Sequence, residues 1–189
     1  MQTMRIGVLA DTHIPHRLTH LPAAISHIFA GVDLILHAGD LDETDVLTEL
    51  GYIAPTVAVR GNWHMNPPNR SSSHLPATVH LYLLDQHVVL THGLRNLGQG
   101  LFLEFYSRIL GQHARLNELM IRSLRRRFPG ADVVIFGHSH HAEVRRSDGI
   151  LFINPGAVCE TLDFEEQPAV ALLTVHPSHA EAKIVYLTA

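Results

Sequence analysis

Apolar runs of strand length alternate with helix-like segments through the first third of the chain. RIGVLA (5–10) reads as a buried strand, and LPAAISHIFAG (21–31) as a helix with Pro22 near its start and Gly31 at its end. VDLILHAGD (32–40) is a second strand, and DETDVLTELG (42–51) is a helix with acids in its first turn. PTVAVRGN (55–62) is a third strand. This alternation predicts βαβ units and a mostly parallel sheet. Farther on, ATVHLYLLDQHVVLTHG (77–93) holds two β-rich runs about Asp85-Gln86, which predicts a hairpin. Residues 99–128 are rich in Leu and Arg at helical spacing, broken near Gly111 and ended by Pro129-Gly130. Four further strands are predicted at 131–138, 149–156, 169–175 and 182–188, and NPPNRSSSHLP (66–76) reads as a surface loop. No repeat or linker interrupts the pattern, so a single domain over 1–189 is expected.

The regularity that carries chemistry lies at the strand ends. The first strand ends in Asp11-Thr12-His13, the second in Gly39-Asp40, and the third in Gly61-Asn62. The hairpin ends in Thr91-His92-Gly93, and the run VVIFGHSH ends in Gly137-His138-Ser139-His140. If that last run stays extended, the i, i+2 spacing puts both imidazoles on one side. In α/β sheets ligands gather beyond the carboxyl ends of strands. Five such ends bearing Asp, His or Asn therefore form a constellation. Its oxygen and nitrogen donors suit Mn, Fe, Co, Ni or Zn, and with no cysteine among them a structural thiolate zinc site is excluded. Seven donors are too many for one metal with open positions; they suit two metals sharing a carboxylate.

Composition changes this picture little. The 189 residues are 46% hydrophobic, and no apolar run approaches the length of a membrane span. The lone Cys159 forms no internal disulfide, and the N-terminus lacks the regions of a signal peptide, so a cytoplasmic location is expected. The 16 histidines make a His-rich metal site worth seeking. The net charge of −4 is unevenly spread, for residues 95–128 carry seven arginines and two glutamates. Such a segment attracts phosphate-bearing ligands or simply forms a solvated helix face.

The ordered set DTH (11–13), GD (39–40), GN (61–62), THG (91–93) and GHSH (137–140) resembles the calcineurin-like metallophosphoesterase superfamily. The closing NPGA (154–157) resembles an element of its small branch, which includes YfcE-like phosphodiesterases and the retromer subunit Vps29. The resemblance implies an α/β fold, a four-layer α/β/β/α sandwich of two mixed sheets flanked by helices. It implies one metal held by Asp11, His13, Asp40 and His140, and a second held by Asp40, Asn62, His92 and His138, with Asp40 bridging. Two divalent ions are expected, Mn²⁺ first and Fe, Ni, Co or Zn as alternatives. Between them a bridging hydroxide would attack a phosphodiester, with Asp40 and Asn62 central to catalysis.

After GN the chain departs from the family, reading Trp63-His64 where larger members place a proton-donating histidine and then an acid. His64 is the candidate general acid, and the alternative is a group that lies behind the ligands or on the surface. The departure favours a small phosphodiester over an unactivated monoester. The Arg-rich segment at 95–130 is expected to cap the metals, to contact phosphate through Arg95 or Arg108, or to mediate self-association. Nucleic acid is a weaker expectation as partner, and a membrane is not expected. A non-catalytic Vps29-like interaction scaffold and a nuclease are the competing readings.

Overall fold

The computed structural model describes residues 2–62, 74–93, 113–160 and 166–187. In chain order these form β1 (Met4–Leu9), α1 (Ala24–Ile28), β2 (Leu34–His37), α2 (Asp45–Gly51) and β3 (Thr56–Ala58). The hairpin β4 (Thr78–Leu83) and β5 (Gln86–Thr91) comes next, then α3 (His113–Arg127) and β6 (Val133–Ile135). The chain closes with β7 (Glu143–Ser147), β8 (Ile150–Asn154), β9 (Ala169–Val175) and β10 (Ala180–Tyr186).

Two five-stranded sheets result, ordered β10-β9-β1-β2-β3 and β4-β5-β6-β8-β7. Both are mixed. In the first, β1, β2 and β3 pair in parallel while β9 and β10 are antiparallel. In the second, β5, β6 and β8 are parallel with antiparallel edges β4 and β7. The parallel middles make the carboxyl ends of β1, β2 and β3, and likewise of β5 and β6, open in common directions.

The period-two alternation of each strand builds the layers. Ile6, Val8, Leu36 and Ala38 from one sheet meet Val88, Leu90, Val133, Ile135, Leu151 and Ile153 from the other, forming the core between them. The opposite face of the first sheet, with Leu9, Ile35 and Val170, is covered by Ile25 and Phe29 at α1 and Leu50 of α2. The opposite face of the second, with Val89, Val134 and Phe152, is covered by Leu116, Met120, Ile121 and Leu124 of α3. Their spacing is that of one apolar helix stripe. The four-layer α/β/β/α sandwich expected from the resemblance is what the chain forms. No described helix is long and apolar enough to cross a membrane.

Several element boundaries differ from expectation. The first helix is confined to Ala24–Ile28, with turns on either side, and the third strand to Thr56–Ala58. The hairpin turns at Leu84-Asp85, not Asp85-Gln86; both residues have positive φ (47° and 67°), as tight two-residue hairpins require. The edge strand β7, of sequence EVRRS, was not anticipated, because it is mostly exposed and lacks an apolar run. Of the Arg-rich segment, α3 is described and 94–112 lies outside the described residues.

Phe152, fully buried, packs β8 against α3. Phe152→Ala is expected to cost about 3–5 kcal/mol of stability, read as a lowered denaturant midpoint with unchanged slope.

Candidate metal centre

The strand-end loops meet where the two sheets abut. Backbone bonds fasten them to one another before any side chain is considered. Asp11 N–H donates to the Gly39 carbonyl at 2.9 Å, and His13 N–H to the Asp40 carbonyl at 3.0 Å. These bonds bind the DTH loop to the GD loop. His138 N–H donates to Asp11 Oδ2 at 3.1 Å, which brings in the GHSH loop from the other sheet. His37 reinforces the join from below. It accepts from Gly39 N–H at Nδ1 (3.2 Å), so its Nε2 carries the hydrogen toward Thr12 Oγ1, also 3.2 Å away. Burial pushes His37 down to about 3, which keeps it neutral in that role.

Five of the seven expected ligands sit in the left-handed region: Asp11 (φ 53°), His13 (48°), Asp40 (55°), His138 (75°) and His140 (60°). The expectation of an extended HSH run is thereby corrected. β6 stops at Ile135, and both imidazoles reach the site from a left-handed loop. Non-glycine residues adopt this conformation at a cost, and they gather where function over-determines the backbone. The glycines beside them answer a different need. A Cβ on Gly61 would lie 1.7 Å from Asp40 Oδ1, and one on Gly137 would lie 2.9 Å from Asp11 Oδ2.

The side chains fall into two overlapping groups. Asp11, His13 and His140 present donor atoms within 4.8 Å of one another, and so do Asp11, Asp40 and His92. His140 Nε2 lies 3.6 Å from Asp11 Oδ1. Asp40 Oδ2 lies 3.9 Å from His13 Nε2 and 3.3 Å from His92 Nε2, between the two groups. Asn62 Oδ1 is 3.1 Å from His92 Nε2, and Asn62 Nδ2 is 3.1 Å from His138 Nδ1. All seven residues therefore come together: Asp11, His13, Asp40, Asn62, His92, His138 and His140. His64 lies outside the described residues, as do Trp63, Arg95 and Arg108.

The electrostatics suit a cation. Burial lifts Asp11 to about 7, with the Asp40 charge adding to the rise against the pull of His92 and His13. Burial also pushes His138 and His140 down to about 3, leaving the neutral imidazoles a metal requires. His92 behaves oppositely. Burial opposes its charge, but Asp40 and then Asp11 outweigh it and lift the ring to about 9. Its Nδ1–H donates to the Ala38 carbonyl at 2.8 Å, which turns Nε2 toward Asp40. A cation bound there takes the place of the Nε2 proton.

Two supporting groups carry no mark in the strand-end pattern. Asp42 is buried, with Oδ1 3.6 Å from His13 Nδ1 and Oδ2 3.0 Å from His16 Nδ1. A carboxylate on the far nitrogen of a ligating imidazole fixes its orientation. The acid two residues after Asp40 was the available signal. The second group is a buried amide network. Asn154 Nδ2 donates to Ser139 Oγ (2.8 Å) and lies 3.2 Å from both the Gly137 carbonyl and Asn117 Oδ1. Asn117 accepts from Ser139 Oγ at 2.6 Å, and its Nδ2 donates to the His141 carbonyl at 2.9 Å. The asparagine of NPGA thus holds the GHSH loop from beneath. Asn117, inside a Leu/Arg helix pattern, gave no signal.

A family model for the calcineurin-like phosphoesterase superfamily domain matches residues 4–178. The chain belongs to this superfamily. It is 34% identical over 182 residues to a probable metallophosphoesterase of Methanothermobacter thermautotrophicus, covering 96% of this chain and 92% of the relative. Among solved structures it is similar in fold to Vps29 of Cryptosporidium parvum, with a TM-score of 0.68 at 16% identity and 99% of each chain covered. It is likewise similar in fold to an archaeal phosphodiesterase, with a TM-score of 0.61 at 23% identity, covering 97% of this chain and all of the other. For this metallophosphoesterase-family chain, the motifs that carried the resemblance are the loops that converge.

Two outcomes test this site. Asn154→Leu removes one donor from Ser139 Oγ and one from the Gly137 carbonyl, leaving each only a backbone N–H. It is expected to weaken metal affinity by about 10- to 100-fold, measured by titration of chelator-stripped protein. Stripped protein should also lose stability as pH falls below about 6.5. His37, His138 and His140 refuse protons that the unfolded chain accepts, and Asp11 alone acts the other way between about 4 and 7. Stability should fall again as pH rises from about 6.5 through 9, where His92 gives up the proton it holds more tightly when folded. Denaturant midpoints across pH read both limbs.

Proposed function

We propose that the chain is a phosphodiesterase that uses two divalent metal ions, with Mn²⁺ the leading candidate. The observation that carries this reading is the pair of overlapping donor groups, with Asp40 Oδ2 poised between His13 and His92. Asp11, His13, Asp40 and His140 would hold one ion, and Asp40, Asn62, His92 and His138 the other. Ions in such a pair activate water and neutralise phosphoryl oxygens.

The chain's own residues do the rest. Asp11 is common to the two close groups, while Asp40 Oδ2 reaches toward both His92 and His13, so loss of Asp40 would remove a ligand from each proposed ion. The Ala38 carbonyl holds the His92 ring with Nε2 facing Asp40, and the Asp42 carboxylate lies beside Nδ1 of His13. Asn62 supplies a neutral amide oxygen, which adds no negative charge where an anionic substrate must approach. His64 lies two residues beyond Asn62 and is the proposed general acid for the leaving alcohol, so a diester with a reactive leaving group should depend on it least.

An interaction scaffold is the second reading, supported by the likeness of fold to Vps29. The complete donor set favours catalysis over it. The deciding experiment is hydrolysis of bis-p-nitrophenyl phosphate by chelator-stripped protein with Mn²⁺ restored, beside Asp40→Asn. Turnover should require the metal. The substitution should lower it by more than the roughly 100-fold that loss of a group supporting a ligand costs. Absence of turnover with Mn²⁺, Ni²⁺, Co²⁺ and Zn²⁺ would turn the assignment to the scaffold.

A further inference from the structure

The turn after the DTH loop carries a cation to the edge of the centre. Arg17 N–H donates to the His13 carbonyl at 2.7 Å, closing a turn that begins at a proposed ligand. Its side chain is exposed, yet one guanidinium nitrogen lies 4.0 Å from the sulfur of buried Cys159. Cys159 is itself fastened to the site, its N–H pointing to the Asp11 carbonyl at 3.5 Å and the preceding Val158 N–H to the Ala10 carbonyl at 3.2 Å. Arg17 therefore stands over the Asp11–His13–His140 side.

The setting of this guanidinium differs from that of several other described arginines. Arg122, Arg125 and Arg145 are each paired with an acid, Glu118, Asp148 and Glu143. Arg146 is engaged by the carbonyls of Gly149 and Ala180. Among the described residues no carboxylate pairs with Arg17. A thiol sulfur is a weak acceptor. Among the described residues the guanidinium has only this weak acceptor, at the edge of a site read here as binding an anionic diester. A planar fork of that kind matches two phosphoryl oxygens.

We propose that Arg17 is a substrate-binding residue that grips the non-bridging oxygens of the phosphoryl group on the Asp11–His13–His140 side of the centre. The assignment rests on the phosphoesterase reading and deepens it. It places affinity for the phosphate in the chain's own side chain, beside whatever the metals contribute. Cys159 acts only as a shelf that limits where the guanidinium can lie.

The test compares wild-type protein with Arg17→Ala and Arg17→Lys, all loaded with Mn²⁺ and checked for metal content. Inorganic phosphate is titrated calorimetrically, and bis-p-nitrophenyl phosphate hydrolysis is followed in parallel. With metal content unchanged, Arg17→Ala should weaken phosphate binding by about tenfold or more, with KM rising more than kcat falls. Arg17→Lys should lie between, since it restores the charge without the fork. Equal phosphate affinity in all three proteins would overturn the proposal. So would loss of metal from Arg17→Ala, which would give Arg17 a part in building the DTH turn instead. A wild-type protein that hydrolyses nothing would sink the phosphoesterase reading, while the phosphate titration would still decide what Arg17 binds.

Discussion

Asp11 and Asp40 are both buried, with oxygens close enough to share one set of partners, at the seam where two hydrophobic sheets meet. Taking two carboxylates out of water is among the least favourable acts a fold can perform, and proximity makes each worse for the other. The surroundings are organised around that difficulty. His92 is turned by Ala38 to face Asp40, and the backbone of His138 donates to Asp11. His13 and His140 crowd in from the outer side. What the cluster still calls for is positive charge at its centre. A bound metal cation would supply that more effectively than protons do, which ties metal binding to the stability of this fold.

The same constraint explains the backbone. A left-handed residue other than glycine carries a penalty of order 1–2 kcal/mol, and five donors here adopt that conformation. They are held there by loops that end rigid parallel strands and by bonds from loop to loop, not by their own preference. The three clusters around the two sheets provide the stability against which the strain is set. Short, abrupt loops let donors that lie far apart in sequence converge, and a more relaxed chain would point them outward.

The donors were legible because each sits directly after an apolar run, where pattern and chemistry change together. Five such changes in order pick out the loops whose side chains converge. The sandwich was legible for a related reason, since buried strands announce themselves as apolar runs. What stayed hidden obeys different rules. β7 is a strand by virtue of its neighbour β8 and reads as polar chain. Asn117 and Asp42 matter through burial beneath the site, a property of tertiary contacts that no local spacing encodes. Arg17 looked like any surface arginine until Cys159 arrived beside it from the other end of the chain.

The amide network under the GHSH loop also bears on how the chain can vary. Asn117 grips Ser139, Asn154 and the His141 carbonyl from the first half of α3. The helix is thus indexed to the loop from inside, by its own polar tooth, while Leu116, Met120 and Leu124 seat it on the sheet. A slip of α3 by one residue would pull Asn117 away from Ser139 and the His141 carbonyl, so the seating of a helix on the outer face is felt at the loop that carries His138 and His140.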